Sequence, residues 1–442
     1  MRHEKKSRQA TGRRDFIRIM TAAAAAPYFV PSAVFGATAP SNRITVGAIG
    51  TGRMGRGDLQ DLLGHGDAQV VAVCDVDSNR LEDGRAYVEK FYAERSADGK
   101  AAGVSMYRDY RELVARADID AVMICTPDHW HALPAMDAAR AGKDIFLQKP
   151  LTYTLEEGRA LSDTVRRYGR VFQVGSQQRS GEQFRTACEL VRNGRIGKLE
   201  KVEVTLPTDP AGENRPVMPV PKQLDYEFWL GPCQWAPYTE ERVHPPVGYD
   251  RPGWLRVEEY CLGMITGWGS HHMDIAHWGM GENAPLEVSG TATFPETGVW
   301  TVHGEFRIEY LYPGGVTVIC RGREGASNGI RFSGTEGWVF VTRGRLDAEP
   351  KSLLKSVIGP NEVHLYRSRD HKGNWLECIK SRAETVAPVE NGHRSCSACI
   401  VGHIAMKMQG TKLRWDAETE RFVDNDAANR MLSRAMRGPW HL

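Results

Sequence analysis

A chain of 442 residues with 41% hydrophobic and 25% charged side chains is long enough for two domains and a large core. Its formal net charge of +2 leaves no basic footprint for nucleic acid, so no such partner is expected. Nine cysteines are scattered with neither a disulfide framework nor a zinc pattern, and Cys396-x-x-Cys399 places two of them on one helix face, where core packing is the expected use.

Residues 1–37 read as an export signal rather than as part of the fold. Arg2, Lys5, Lys6 and Arg8 precede Thr11-Gly-Arg-Arg-Asp-Phe-Ile-Arg18, a twin-arginine pattern, and no charged residue occurs from 19 to 42. That alanine-rich run is broken by Pro27 and Pro31 and is poorly suited to a stable span. The expectation is a periplasmic protein with no stable membrane span after export, a retained anchor being the alternative. Twin-arginine export carries folded proteins, so a cofactor would be loaded before export and regenerated in place.

The apolar run 44–49 has the length of one buried parallel strand and leads into Gly50-x-Gly52-x-x-Gly55. Gly50 permits a tight turn, Gly52 lets a pyrophosphate approach the backbone, and Gly55 lets the following helix, expected over 58–63, lie close to the sheet. A second strand over 69–74 ends in Asp75, placed to bind ribose hydroxyls and to repel a 2′-phosphate. NAD is therefore the expected cofactor, with NADP kept open by Arg53 and Arg80.

Strand and helix then alternate to about residue 178. Helical spacing covers 79–94, 110–116, 132–141 and 155–168; buried strands cover 121–125, 144–147 and 171–174; residues 101–107 read as a link. This is the rhythm of a doubly wound parallel sheet, giving a Rossmann domain over 41–180. Ligands bind at strand C-terminal ends in such sheets, and those ends carry Thr126 to His131, Gln148 to Pro150 and Ser176 to Arg179.

The texture changes over 181–442, read as a second α/β domain with a large, open, mostly antiparallel sheet. A helix is expected over 183–193 and strands over 199–206, 286–294, 302–312, 315–322, 330–333 and 338–342. The Pro-, Trp- and Tyr-rich segment 207–253 reads as irregular chain over a pocket. A helix over 395–408 precedes a tail expected to pack back on the first domain.

Gly50-x-Gly-x-x-Gly55, Cys125-Thr-Pro-Asp-His-Trp-His131, Gln148-Lys-Pro150 and Gly267-Trp-Gly-Ser-His-His-Met-Asp-Ile-Ala-His-Trp278 together resemble the glucose–fructose oxidoreductase/inositol dehydrogenase/rhizopine-catabolism (Gfo/Idh/MocA) family, in its exported twin-arginine branch. The resemblance implies NAD(P)-dependent hydride transfer on a carbohydrate, and a homo-oligomer, dimer or tetramer, joined through the second sheet. It makes Lys149 the catalytic lysine, which moves a proton at the substrate hydroxyl. It implies cofactor contacts from Gly50, Gly52, Arg53, Met54, Gly55, Asp75, Thr126, Trp130, His131, Gln148, Lys149 and Gln177.

Two departures from the family pattern stand out. Gln148 replaces the usual Glu, removing a charge beside Lys149. The family's Asp-x-x-x-His keeps its histidine as His271, but Gly267 occupies the aspartate position. His271 is thus the remaining proton carrier, with Asp274 one turn on to orient it or to serve structure. His131, Arg179, His272 and Asp274 are the substrate-binding candidates. His129-x-His131 and His271-His272 lack an acidic or cysteine partner at ligand spacing, so no metal is expected.

Three functions follow. The first is an exported NAD(P)-dependent oxidoreductase acting on a sugar, cyclitol or glycoside with a tightly held cofactor. The second is a redox-neutral, NAD-dependent glycosidase or lyase working through a 3-keto sugar; the family's known glycosidase branch has another residue in place of Lys149. The third, motivated by Gly267, is a non-catalytic sugar-binding protein.

Overall fold

Continuous apolar runs build the first sheet. The computed structural model describes residues 42–96, 103–210, 212–323, 325 and 327–442, so the twin-arginine segment lies outside the described residues. Strands β1 (Ile44–Ile49), β2 (Ala68–Cys74), β3 (Ser105–Tyr107), β4 (Ala121–Ile124), β5 (Asp144–Leu147) and β6 (Phe172–Val174) pair in parallel in the order β3-β2-β1-β4-β5-β6. β4, β5 and β6 are buried along their whole length, as expected of strands covered on both faces. The strand order reverses beside β1, and the glycine turn lies at that switch point.

Local signals start two helices within a residue of the expected position, whereas the helices expected over 58–63 and 395–408 begin earlier, at Arg53 and Val389. The helix Leu155–Arg167 starts in a capping box, in which the Thr154 hydroxyl accepts from the Glu157 N–H and the Glu157 carboxylate accepts from the Thr154 N–H. Ser78–Ala93 is capped by Asp77, which accepts from the Asn79 and Arg80 N–H groups.

The second sheet comprises β7 (Leu199–Leu206), β8 (Glu287–Ala292), β9 (Phe306–Leu311), β10 (Thr317–Gly322), β11 (Gly329–Gly334), β12 (Gly337–Thr342), β13 (Arg345–Glu349), β14 (Leu413–Asp416) and β15 (Arg421–Phe422). Its order is β13-β12-β11-β7-β10-β9-β8-β14-β15, antiparallel except for the β7–β10 pair. β9 shows the alternation of a half-covered sheet: Phe306, Ile308 and Tyr310 point inward while Arg307, Glu309 and Leu311 are exposed. The inward face packs on the helices Gly269–Met280 and Val389–Lys407. Cys396 and Cys399 are buried in the second of these, as their spacing predicts.

Residues 44–442 form one unit because late elements return to the first sheet. Trp375, on the helix His371–Ser381, packs edge-on against Phe146 of β5 with ring centroids 5.7 Å apart. In the tail, Arg434 pairs with Glu157 at 2.7 Å, and Trp440 meets Trp130 at 4.8 Å and Phe228 at 5.5 Å. β3, β13, β14, β15 and the helix His371–Ser381 were not among the elements expected from spacing. They are short or charge-rich, and neighbouring strands and the core specify them instead. The segment 207–253 contains its own short helix, Tyr226–Leu230, and with residues 257 and 260 forms a small core around Trp229, Tyr238, Val243 and Tyr260.

The close approach at the glycine turn yields a prediction. A Cβ at Gly55 would lie 1.9 Å from the Gly50 carbonyl oxygen, whereas one at Gly52 would meet only the end of Arg80, at 3.5 Å. Gly55→Ala is expected to destabilise the protein by about 1–3 kcal/mol in denaturant titration, while Gly52→Ala leaves stability within about 0.5 kcal/mol and weakens NAD binding, measured by nicotinamide fluorescence.

Candidate active site

The C-terminal ends of β1, β2, β4, β5 and β6 open into one cavity of about 690 Å³. Its walls include Gly50, Gly52, Arg53, Met54, Asp75, Thr126, Trp130, His131, Gln148, Lys149 and Gln177 from the first sheet, and Gly267, Trp268, His271 and Arg343 from the second half. Phe228, Trp229, Pro252, Trp254 and Leu255 close it over, so the irregular segment does cover a pocket. Gly55 lies outside the lining, and its contribution is the close packing of the helix Arg53–Leu63 on the turn.

At the turn, Gly50 has φ +86°, and a Cβ there would come within 2.7 Å of the Cys125 carbonyl oxygen. Asp75 holds the turn in shape. It accepts from the Thr51 N–H at 2.9 Å and hydroxyl at 3.1 Å, and from the Asp77 N–H at 3.0 Å. Arg80 is committed elsewhere: it donates to the carbonyls of Pro245 and Gly248 at 3.1 and 3.3 Å, fastening that segment to the helix Ser78–Ala93.

Gln148 has a physical reason to differ from Glu. Its amide donates to the Asp58 carboxylate at 2.6 Å, and the buried Lys372 ammonium pairs with the other Asp58 oxygen. A glutamate at 148 would set carboxylate against carboxylate. The Asp58 charge holds the Lys372 pKa above its usual range, although burial, the largest single influence, acts to lower it. Gln148 also accepts the Lys149 N–H at 3.2 Å, linking this hub to the Lys149 loop.

Lys149, next to Gln148 in the chain, donates to the Gly267 carbonyl at 2.9 Å. Burial lowers its pKa, with the charges of Arg343 and Arg251 acting the same way and Asp128 opposing. Burial pushes Asp128 up to about 7, against the attraction of Lys149, and one of its oxygens has no partner among the described residues. His271 is pushed well below the imidazole range by burial, then by the charges of Lys149 and Arg343. It therefore stays neutral at pH 7. Its Nε2 accepts from the Arg343 guanidinium at 3.2 Å, so the ring proton sits on Nδ1, which is buried with no partner among the described residues.

Four of the proposed contacts take other roles. Arg179 and Asp274 form a buried bidentate pair at 2.7 and 2.8 Å outside the cavity lining, so they bind each other rather than a substrate, and Asp274 does not orient His271. His272 is also outside the lining; it contacts Asn328 at 2.9 Å and Gln178 at 3.3 Å, and burial lowers its pKa to about 4. His131 lines the cavity, but Nδ1 lies 2.6 Å from the Pro150 carbonyl and Nε2 3.0 Å from that of Thr126. Burial lowers its pKa to about 4, so the neutral ring has one proton, which the shorter contact takes. Its polar atoms serve the loops. Sequence reasoning missed Asp128, Arg251 and Arg343. Asp128 stands inside the quoted 125–131 motif, whereas no local signal marks the two arginines. Among the described residues, no group of His, Cys, Asp or Glu is placed to hold a metal ion, and no helix is long and apolar enough to cross a membrane.

Fold and cavity define a dinucleotide-binding α/β protein. Residues 44–176 match the family model described as "Oxidoreductase family, NAD-binding Rossmann fold", and residues 210–442 match "Oxidoreductase family, C-terminal alpha/beta domain". The chain belongs to the Gfo/Idh/MocA oxidoreductase family. It is 34% identical to inositol 2-dehydrogenase of Rhizobium meliloti over 162 residues, 37% of this chain and 44% of that one. It is 30% identical to alpha-N-acetylgalactosaminidase of Shewanella oneidensis over 167 residues, 38% of this chain and 36% of that one. The chain thus spans under half the length of these curated relatives. The WlbA dehydrogenase of Bordetella pertussis, solved with NADH and UDP-GlcNAcA, has the same fold, with a TM-score of 0.61 and 17% identity over 85% of this chain and 99% of that one.

NAD is the cofactor, and the residues present fit it. A Cβ at Gly52 would meet only the end of the Arg80 side chain, and the Thr126 hydroxyl in the cavity wall is buried without a partner among the described residues.

Two substitutions separate structure from chemistry here. Asp274→Asn strands the Arg179 charge and is expected to cost about 3–5 kcal/mol in chemical denaturation, with NAD affinity unchanged. Gln148→Glu is expected to destabilise the protein by about 1.4 kcal/mol per unit by which the new carboxyl's pKa is raised. That penalty is present above the raised folded-state pKa and disappears as pH falls toward the unfolded carboxyl value, which melting temperature against pH will show.

Proposed function

We propose that this protein is an NAD-dependent oxidoreductase acting on a sugar, cyclitol or glycoside. One observation carries the reading: a single cavity contains both the glycine turn and the Lys149–Gly267–His271 cluster. Bound NAD would accept the hydrogen, with its electron pair, from the carbinol carbon. Lys149, with its lowered pKa, takes the hydroxyl proton. His271, neutral and fixed by Arg343, offers Nδ1–H to a substrate oxygen. Trp254, Trp268 and Pro252 restrict water at the same place. The Thr11 to Arg18 pattern supports export by the twin-arginine route to the periplasm, where the cofactor would be tightly held and regenerated in place. Assembly as a homo-oligomer through the second sheet belongs to the same proposal.

Resemblance to the Shewanella oneidensis glycosidase favours one second reading, a redox-neutral cycle through a 3-keto sugar that cleaves a glycosidic bond. Purified protein incubated with sugars and glycosides distinguishes the two. Net nicotinamide reduction without bond cleavage is expected, and aglycone release without net reduction would replace the first reading with the second. Lys149→Ala should lower turnover by at least about a hundredfold while NAD still binds; unchanged turnover would remove Lys149 from the mechanism. In the oxidative direction the rate should fall as pH drops through the Lys149 pKa, because the ammonium cannot accept a proton, and that arm should lie below the ordinary lysine range of about 10.4.

A further inference from the structure

The family's missing carboxylate leaves both room and charge. A Cβ at Gly267 would meet nothing within 4 Å, and Gly267 lines the cavity. One helical turn on, the Arg343 guanidinium rests on His271 Nε2 at 3.2 Å and lies 4.8 Å from the Trp268 ring centroid. Arg343 sits between β12 and β13 and, among the described residues, pairs with no carboxylate. Lys149, on Gly267, is a second cation at the same end. Arg251 is a third; it pairs with Asp209 at 2.7 Å, but Arg256 shares that carboxylate at 3.5 Å.

The opposing charge is small. Asp128 has a pKa raised to about 7 by burial and is partly neutral at that pH; Asp250 lines the cavity and is exposed, as Arg343 itself is. Asp75 is occupied at the glycine turn. A neutral sugar would leave most of the Arg343 donors to water. A carboxylate or phosphate matches the planar guanidinium fork with two acceptor oxygens.

We propose that the substrate is an acidic sugar whose carboxylate or phosphate docks on Arg343 in the room beside Gly267, while one of its hydroxyls rests on Lys149. This rests on the oxidoreductase reading of the same cavity and adds the substrate's charge. An anion there also screens the repulsion between Arg343 and Lys149, so binding and charge balance act together.

The test is calorimetric titration of the whole protein, with and without NADH, using D-glucuronate, D-galacturonate, D-gluconate and glucose-6-phosphate, each against its neutral parent sugar or polyol. At least one acidic ligand is expected to bind tenfold or more tightly than its parent, by a margin that narrows with added salt. The uronate and aldonate arms report a carboxylate, and the sugar phosphate arm a phosphate. Arg343→Gln should erase the preference and Arg343→Lys should keep part of it, with the melting temperature near that of the parent protein. The proposal is overturned if no acidic ligand outbinds its neutral parent or if Arg343→Gln keeps the preference. NADH binding, read by fluorescence, decides the oxidoreductase reading separately: NADH bound with no acidic preference removes only the acidic-sugar inference.

Discussion

The Asp58 carboxylate is the constraint on which the site depends. It lies on the first helix after the glycine turn, is buried, and accepts from Gln148 beside Lys149, from Lys372 on a helix more than 300 residues later in the chain, and from the Cys125 thiol after β4. Two strand ends and a C-terminal helix thus converge on one charge. A buried ion pair of this kind adds little net stability over apolar packing, but loss of one member leaves the other charged and unsolvated. Its effect is positional: the glycine turn, the Lys149 loop and the helix His371–Ser381 hold one mutual arrangement.

Around that hub, burial moves each group away from its usual titration range. Lys149 moves down, Asp128 moves up to about 7, and His271 moves well below the imidazole range and stays neutral. Residue type alone would have given the histidine the proton. The low-dielectric setting and the arginine on Nε2 reverse that order, and Arg343 fixes which nitrogen carries the ring hydrogen.

Much of the fold was legible because its signals are local. β1, β5 and β7 occupy the spans expected of them, since an unbroken or alternating apolar run has few other uses. The glycine spacing was equally readable, since Gly50 needs a positive φ and Gly55 has a backbone oxygen where a Cβ would stand. β13 and the helix His371–Ser381 were not legible, because their side chains alternate weakly or carry charge and only their packing partners define them. In the site, Lys149 and His271 were found from their motifs and share the cavity. Arg179, His272 and Asp274 lie outside the cavity lining and pair with other groups, because motif proximity does not say which way a side chain points. His131 reaches the cavity, but its nitrogens are spent on carbonyls that only the folded loops bring near it.

The sequence by itself determined the family, the dinucleotide turn and the lysine before Pro150, because each depends on residues within a few positions of one another. The tertiary structure decided what replaces the absent aspartate: the Gly267 carbonyl takes the Lys149 ammonium, and Arg343, from a hairpin far along the chain, takes His271. Hydrogen bonds and Coulomb interactions act through space, and no spacing rule records which distant side chain will complete a charge left open at another point of the chain.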